Sequence, residues 1–296
     1  MDKPAGLLLF SRERRGHVAR PVCHMNNANP ILINWRKEQK VFNQNLSLLQ
    51  KKLEKEAIHD LRVAIKKLRA YLDLYSQLKK VTDPVEAGQQ GLLDKTEELF
   101  DTIGRQRDVE ICLEVLTSFK EETNYSYPQL TLYLQAVLKI TKAWSNQEIH
   151  GYKNKETKKI AFVLKQDNEI ENTGELNQNL QSIIRHSVGE TKSKFKKPHL
   201  LRKNLKSVYY WLNLLNDNSK YHPELLHNIL DDLGSWQDKE IALQRIKHFR
   251  KDYLPKSFDE YNKLKELEQY IDEKKSMLIK AACNKTRKWI KTIPLS

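Results

Sequence analysis

A chain of 296 residues is long enough for one large or two ordinary domains with a substantial core. Its 52 Lys and Arg against 38 Asp and Glu give a formal charge of +14, which favours polyanionic partners: nucleic acid, acidic membrane or polyphosphate. The mix of 39% hydrophobic and 30% charged residues describes a folded globule better than a disordered tail, and three scattered cysteines (Cys23, Cys112, Cys283) without a CxxC or Cys/His cluster argue against a disulfide framework.

Residues 1–29 read as an unstructured leader, rich in Arg (Arg12, Arg14, Arg15, Arg20) and without helical period. The apolar cluster Leu7 to Phe10 is too short for a signal-peptide core, and no run is long enough to span a bilayer. A cytoplasmic protein with no membrane attachment is the expectation. From Pro30 the periodicity predicts helices at 31–54, 56–80, 87–103, 106–121, 128–150 and 155–167. A polar stretch, Asp167 to Gly174, separates these from further helices at 175–195, 198–217, 222–233, 237–252 and 258–291. Asp83-Pro84, Gly104, Tyr127-Pro128, Gly174, Lys197-Pro198, His222-Pro223, Gly234 and Leu254-Pro255 supply the breaks. No segment alternates as a half-buried strand would, so the fold is expected to be all-α, with halves at about 30–168 and 175–296.

The two halves share phrases. H-D-L-R-V-A-I-K-K-L-R-A-Y-L from His59 returns as H-L-L-R-K-N-L-K-S-V-Y-Y-W-L from His199, and I-G-R-Q-R-D-V-E-I from Ile103 returns as L-G-S-W-Q-D-K-E-I from Leu233. On a helix, Leu61, Ile65, Leu68, Leu72 and Tyr75 form a buried seam. His59, Arg62, Lys66 and Arg69 form a second stripe about a third of a turn away, some 15 Å long. In the second copy Leu201, Leu205, Val208, Leu212 and Leu215 make the seam, and His199, Arg202 and Lys206 make the row, with Lys203 beside it. Tyr209 stands where Arg69 stood and Tyr210 adjoins it, so this row exchanges a cation for phenols that can hydrogen-bond an oxyanion without charge. A cationic stripe on one helix is ordinarily a solvated face. Its recurrence at matched positions is not something core packing demands. Arg can meet two phosphate oxygens with its planar fork, Lys adds a compact charge, and His can donate to an oxyanion.

Gly104 and Gly234 fit left-handed helix C-caps, which places Asp108 and Asp238 in the first turn of the helices that follow. These four residues are expected to be structural. Arg105 and Arg107 lie at the same helix start; either could face a ligand, and Arg107 could equally pair with an acid. There is no phosphate-binding Gly-x-x-x-x-Gly-Lys loop, no His-Glu-x-x-His and no convincing carboxylate pair for magnesium, so neither catalysis nor a metal or cofactor is expected. The chain also lacks a helix-turn-helix, zinc-finger or RNA-recognition signature, although Tyr209, Tyr210 and Trp211 leave a nucleic-acid-binding helical protein as the alternative.

The duplicated pattern resembles the CHAD family, the conserved-histidine α-helical domain, in which a His-x-x-Arg helix and a Gly-x-x-Arg-Asp phrase occur in each half. His59, Arg62, Lys66, Lys67, Arg69, Arg107 and Asp108 match the first half; His199, Arg202, Lys203, Lys206, Tyr210, Gly234 and Asp238 match the second. Ser207 and Tyr209 depart from basic positions of the family's second half. The resemblance implies two pseudo-symmetric antiparallel helical bundles around a basic groove or pore. It further implies non-catalytic binding of inorganic polyphosphate or another linear polyanion, with placement at polyphosphate granules. The alternating Glu-x-Glu-x-Lys strand of the family's catalytic fusion partner is absent: Glu266 and Glu268 are followed by Tyr270 in a helical window. Nothing in the sequence sets an oligomeric state.

Overall fold

A computed structural model describes residues 29–82, 93–123, 125–166, 174–215 and 217–293; of the leader expected at residues 1–29 only Asn29 lies among them, and the expected breaks at Asp83-Pro84 and over 167–173 lie outside. These residues are helical throughout, without a strand: α1 (Pro30–Leu49), α2 (Lys55–Thr82), α3 (Asp94–Thr123), α4 (Pro128–Gly151), α5 (Glu156–Gln166), α6 (Gly174–Glu190), α7 (Pro198–Leu212), α8 (Pro223–Asp252) and α9 (Asp259–Thr292), with short 3₁₀ turns at Thr191–Lys194 and Ser219–Tyr221. No helix among the described residues is long and apolar enough to cross a membrane.

Proline sets four of the helix starts. Pro30, Pro128, Pro198 and Pro223 each sit in the first turn, where the missing N–H costs nothing. Asn29 is part of the fold rather than the last residue of the leader: its Oδ1 accepts from the amides of Ile31 (2.9 Å) and Leu32 (3.2 Å) and caps α1. Two other helix starts are capped by distant carboxylates. Glu156 of α5 accepts from the Lys95 and Thr96 amides at 2.9 Å each, and the buried Glu260 of α9 accepts from Gln129 and Leu130 at 2.9 and 3.0 Å.

Two expected breaks are not there. α3 runs unbroken through Gly104 and α8 through Gly234, and neither glycine takes a left-handed φ. A glycine inside a helix costs about 1 kcal/mol relative to alanine, too little to stop a helix that packing supports on both sides. Asp108 and Asp238 are therefore in mid-helix, not at helix starts.

The long helices reach beyond the main core. Its seam is close to the one the sequence suggests: Leu61, Ile65, Leu68, Leu201, Leu205 and Val208 are fully buried, together with Trp35, Phe42 and Trp289, but Leu72 is only partly buried and Leu74 takes its place in the core. A second apolar cluster joins the far ends of α3, α4, α8 and α9 around Val109, Leu134, Ile246 and Leu267. Both clusters draw on both halves of the sequence. Helix α2 packs against α7, and α3 against α8, so the two copies of each shared phrase are neighbours.

Candidate functional site

The basic row of α2 is organised by a residue the sequence reading passed over. The Phe100 ring of α3 carries three cations: the guanidinium of Arg62 at 4.1 Å from its centroid, that of Arg69 at 4.2 Å and the Lys66 ammonium at 5.6 Å. Arg62 is fixed further by donating from Nη1 to the Phe100 carbonyl at 2.6 Å. Gly104, one turn along α3, makes this possible, because a Cβ there would sit 2.3 Å from Arg62 Nη1. Phe100, Gly104 and Asp108 thus line one face of α3 at i, i+4 and i+8. The signal was present in the sequence, but splitting α3 at Gly104 hid it.

The second copy repeats the arrangement with less contact. Leu230, Gly234 and Asp238 hold the corresponding positions on α8, and the Arg202 guanidinium passes 3.9 Å from where a Cβ on Gly234 would lie. An aliphatic side chain has replaced the aromatic ring. Arg202 Nε is buried with no hydrogen-bond partner among the described residues.

Because α2 packs against α7, Lys66 comes under the charges of Lys206 and Arg202 as well as those of Arg62 and Arg69 on its own helix. The electrostatic consequence is strong. Burial, then Lys206, Arg62, Arg202 and Arg69, push the Lys66 ammonium down to about 6. Burial and Arg202 bring Lys206 to about 8, against the opposing pull of Asp231. Arg62 falls to about 10, mainly through burial, and burial also lowers Arg69 and Arg202. Burial raises Asp108 and Asp238 even though Arg62, Arg245 and Lys66 favour ionisation of the first and Arg107 and Arg202 that of the second. His59, at the exposed edge, is lowered by partial burial and by Arg107, Lys66 and Lys206, against Asp60.

The remaining predicted residues fall outside this centre. Lys67 donates to the buried Glu38 carboxylate of α1 at 2.9 Å, though its charge still acts on Lys206. Arg107 takes the acid-pairing alternative, with Glu114 at 2.7 Å and Glu110 at 3.6 Å. Arg105 and Lys203 are exposed, and Arg105 contributes its carbonyl to Arg245 at 3.5 Å. The exposed His199 packs edge-on against the buried Trp236, with ring centroids 4.7 Å apart. Tyr210 is a floor and not a surface donor: it is only 4% exposed, with the Lys206 ammonium 5.8 Å from its ring centroid. Trp211, on the seam, donates to the Ala70 carbonyl at 2.8 Å and ties α7 to α2.

A family model described as the CHAD domain matches residues 36–247, from α1 into α8. The chain belongs to the CHAD family. It is also similar to the crystal structure of the CHAD domain from the plant Ricinus communis, at 14% identity and a TM-score of 0.65 over 88% of this chain and 92% of that one. That likeness is one of fold. No curated protein sequence matches the chain. Both basic rows and both Gly-to-Asp phrases of this CHAD protein lie inside the matched span.

Proposed function

We propose that this CHAD protein binds inorganic polyphosphate, without cleaving it, in the basic cleft where α2 meets α7. The observation that carries the reading is the convergence of Arg62, Lys66, Arg202 and Lys206. None of the four has an ion-pair partner within 4 Å among the described residues, although salt bridges are frequent elsewhere on the molecule. Packing alone would not bring four like charges together, since each added cation raises the cost of the others. A linear polyanion offsets that cost along its length, and its affinity should fall steeply with salt as counterions are released. His59 and Arg69 extend the row on the α2 side, and Arg105, Lys203 and His199 lie around it as exposed outer contacts. The carboxylates of the two shared phrases, Asp108 and Asp238, are drawn to Arg62, Arg245, Arg107 and Arg202, which favours a scaffold role over a catalytic one. A cytoplasmic location at polyphosphate granules follows from this ligand.

The test compares binding of long-chain polyphosphate, duplex DNA and single-stranded RNA at equal salt. Polyphosphate should bind tightest, and Arg62→Ala/Arg202→Ala should weaken it at least tenfold while helicity is kept. Equal or tighter binding of nucleic acid would instead support the nucleic-acid reading. Phosphate release on incubation with polyphosphate and magnesium would refute the absence of catalysis, and a fluorescent fusion excluded from granules would refute the location.

A further inference from the structure

The geometry around Lys66 has a further consequence, which rests on the polyphosphate reading. Its ammonium lies 5.6 Å from the centroid of the Phe100 ring of α3 and under the charge of Lys206 from the adjoining α7. The charged groups acting on it are Arg62, Arg69 and His59 from α2 itself, Arg202 and Lys206 from α7, and Asp108 from α3. The remaining neighbours of α2 add little: the Glu38 carboxylate of α1 is engaged by Lys67, and α6 contributes none of these groups. Asp108, itself disfavoured as an anion by burial, faces these five cationic or protonatable groups. Glu97, 3.2 Å from Arg69 Nε, and Asp101 of α3 act on Arg69, Asp101 also acts on Arg62, and Asp231 of α8 and Lys67 act on Lys206. Such a site sheds a proton when empty. A phosphate chain entering the cleft reverses the sign of the local field and makes the charged amine the favoured form.

We propose that binding of polyphosphate is coupled to proton uptake, with Lys66 as the principal acceptor and Lys206 as the secondary one, so that affinity rises as the surroundings acidify through the neutral range. The free amine takes a proton from solvent and becomes an ammonium paired with phosphate oxygen; no bond in the phosphate chain changes. The empty cleft is thereby spared part of its own repulsion, and the missing charge is restored only when the ligand is present to balance it. Lys66 titrates near 6 and Lys206 near 8 when the site is empty, in keeping with this division of roles.

The experiment is calorimetric titration of the full chain with long-chain polyphosphate, whose internal phosphates stay ionised throughout, at pH 7.5 in two buffers of different ionisation enthalpy. Expected is a heat that depends on the buffer, corresponding to uptake of about one proton or slightly more. Affinity should strengthen roughly a hundredfold from pH 8 to pH 6 at fixed ionic strength. Lys66→Arg keeps a charge across this range. It should bind tightly, with the uptake largely gone and the pH dependence flattened. Lys66→Met should also lose the uptake but bind more weakly, and circular dichroism checks that both variants fold. Binding with buffer-independent heats would overturn the coupling while leaving the function standing. Wild-type uptake in both variants would overturn the assignment to Lys66. Absence of polyphosphate binding at either pH would sink the function itself, and the coupling with it.

Discussion

Gly104→Ala and Gly234→Ala are the same chemical change at corresponding positions of two related helices, and the structure predicts opposite outcomes. In the interior of a helix, alanine for glycine is worth about 1 kcal/mol in propensity. At Gly234 nothing opposes that gain: the new methyl would meet Arg202 Nη2 at 3.9 Å, ordinary van der Waals contact. At Gly104 it would fall 2.3 Å from Arg62 Nη1. The guanidinium must then move, losing its 2.6 Å hydrogen bond to the Phe100 carbonyl and part of its seat on the ring. A hydrogen bond to a charged group contributes about 1.5–3 kcal/mol, so Gly104→Ala should be net destabilising by about 1 kcal/mol and Gly234→Ala stabilising by about 1 kcal/mol. Urea denaturation followed by circular dichroism measures both, with the m-value expected to stay constant. Polyphosphate affinity should fall in Gly104→Ala and hold in Gly234→Ala. Equal stability changes, or the larger loss at Gly234, would refute the account of glycine as the seat of the arginine.

Three further outcomes test other parts of the structure. Arg250 and Glu268 form a buried bidentate pair at 2.5 and 3.0 Å in the far cluster, so Glu268→Leu should cost about 3–5 kcal/mol by urea denaturation while leaving polyphosphate affinity unchanged; a loss below about 1 kcal/mol would contradict it. Cys112 is fully buried and its thiol is pushed up to about 12, so alkylation mapped by mass spectrometry at pH 8 should spare it in the native protein and reach it in urea; native labelling would show that the far cluster opens. Lys66 titrates at about 6 when folded against an ordinary 10.5, so between those values the unfolded chain carries a proton that the folded one lacks. Its contribution makes stability rise with pH, by about 1.4 kcal/mol per unit, and the stability of Lys66→Met should gain about 3 kcal/mol less than wild type from pH 7 to pH 9; equal gains would place Lys66 in solvent.

The helical class, the seam of α2 and α7 and the proline-led helix starts were all legible, because each depends on periodicity or on a residue with one local consequence. The basic rows were legible through duplication alone. What the sequence hid is what depends on a second element. Glu156 and Glu260 cap helices far along the chain, and no local pattern announces a carboxylate that will meet someone else's amides. Lys67 matches the family pattern as well as Lys66 does, yet one residue is about 100° on a helix, and that rotation delivers it to Glu38 instead of the cleft. Gly104 was misread for a related reason. Glycine is cheap at a left-handed cap and only mildly costly inside a helix, so the sequence alone favours the cap. The decisive fact, an arginine from α2 occupying the missing side chain's space, belongs to the packing of two helices.

The same fact ties Gly104 to Arg62, which occupies the space a Cβ there would need. The pair is a single unit written in two places, one cation and the gap that admits it. Arg202 and Gly234 are a looser copy, in ordinary contact at 3.9 Å. The Gly-to-Asp phrase thus acts directly on the His-Arg-Lys phrase: Gly104 leaves room for Arg62, and Asp108 and Asp238 attract Arg62 and Arg202. The copies differ in how firmly they hold the arginine. Phe100 and its carbonyl hold Arg62, whereas Arg202 Nε has no hydrogen-bond partner among the described residues. Burial is also the first cause that lowers Lys66 and Lys206, and under the function proposed above a bound polyanion would offset the repulsion between them.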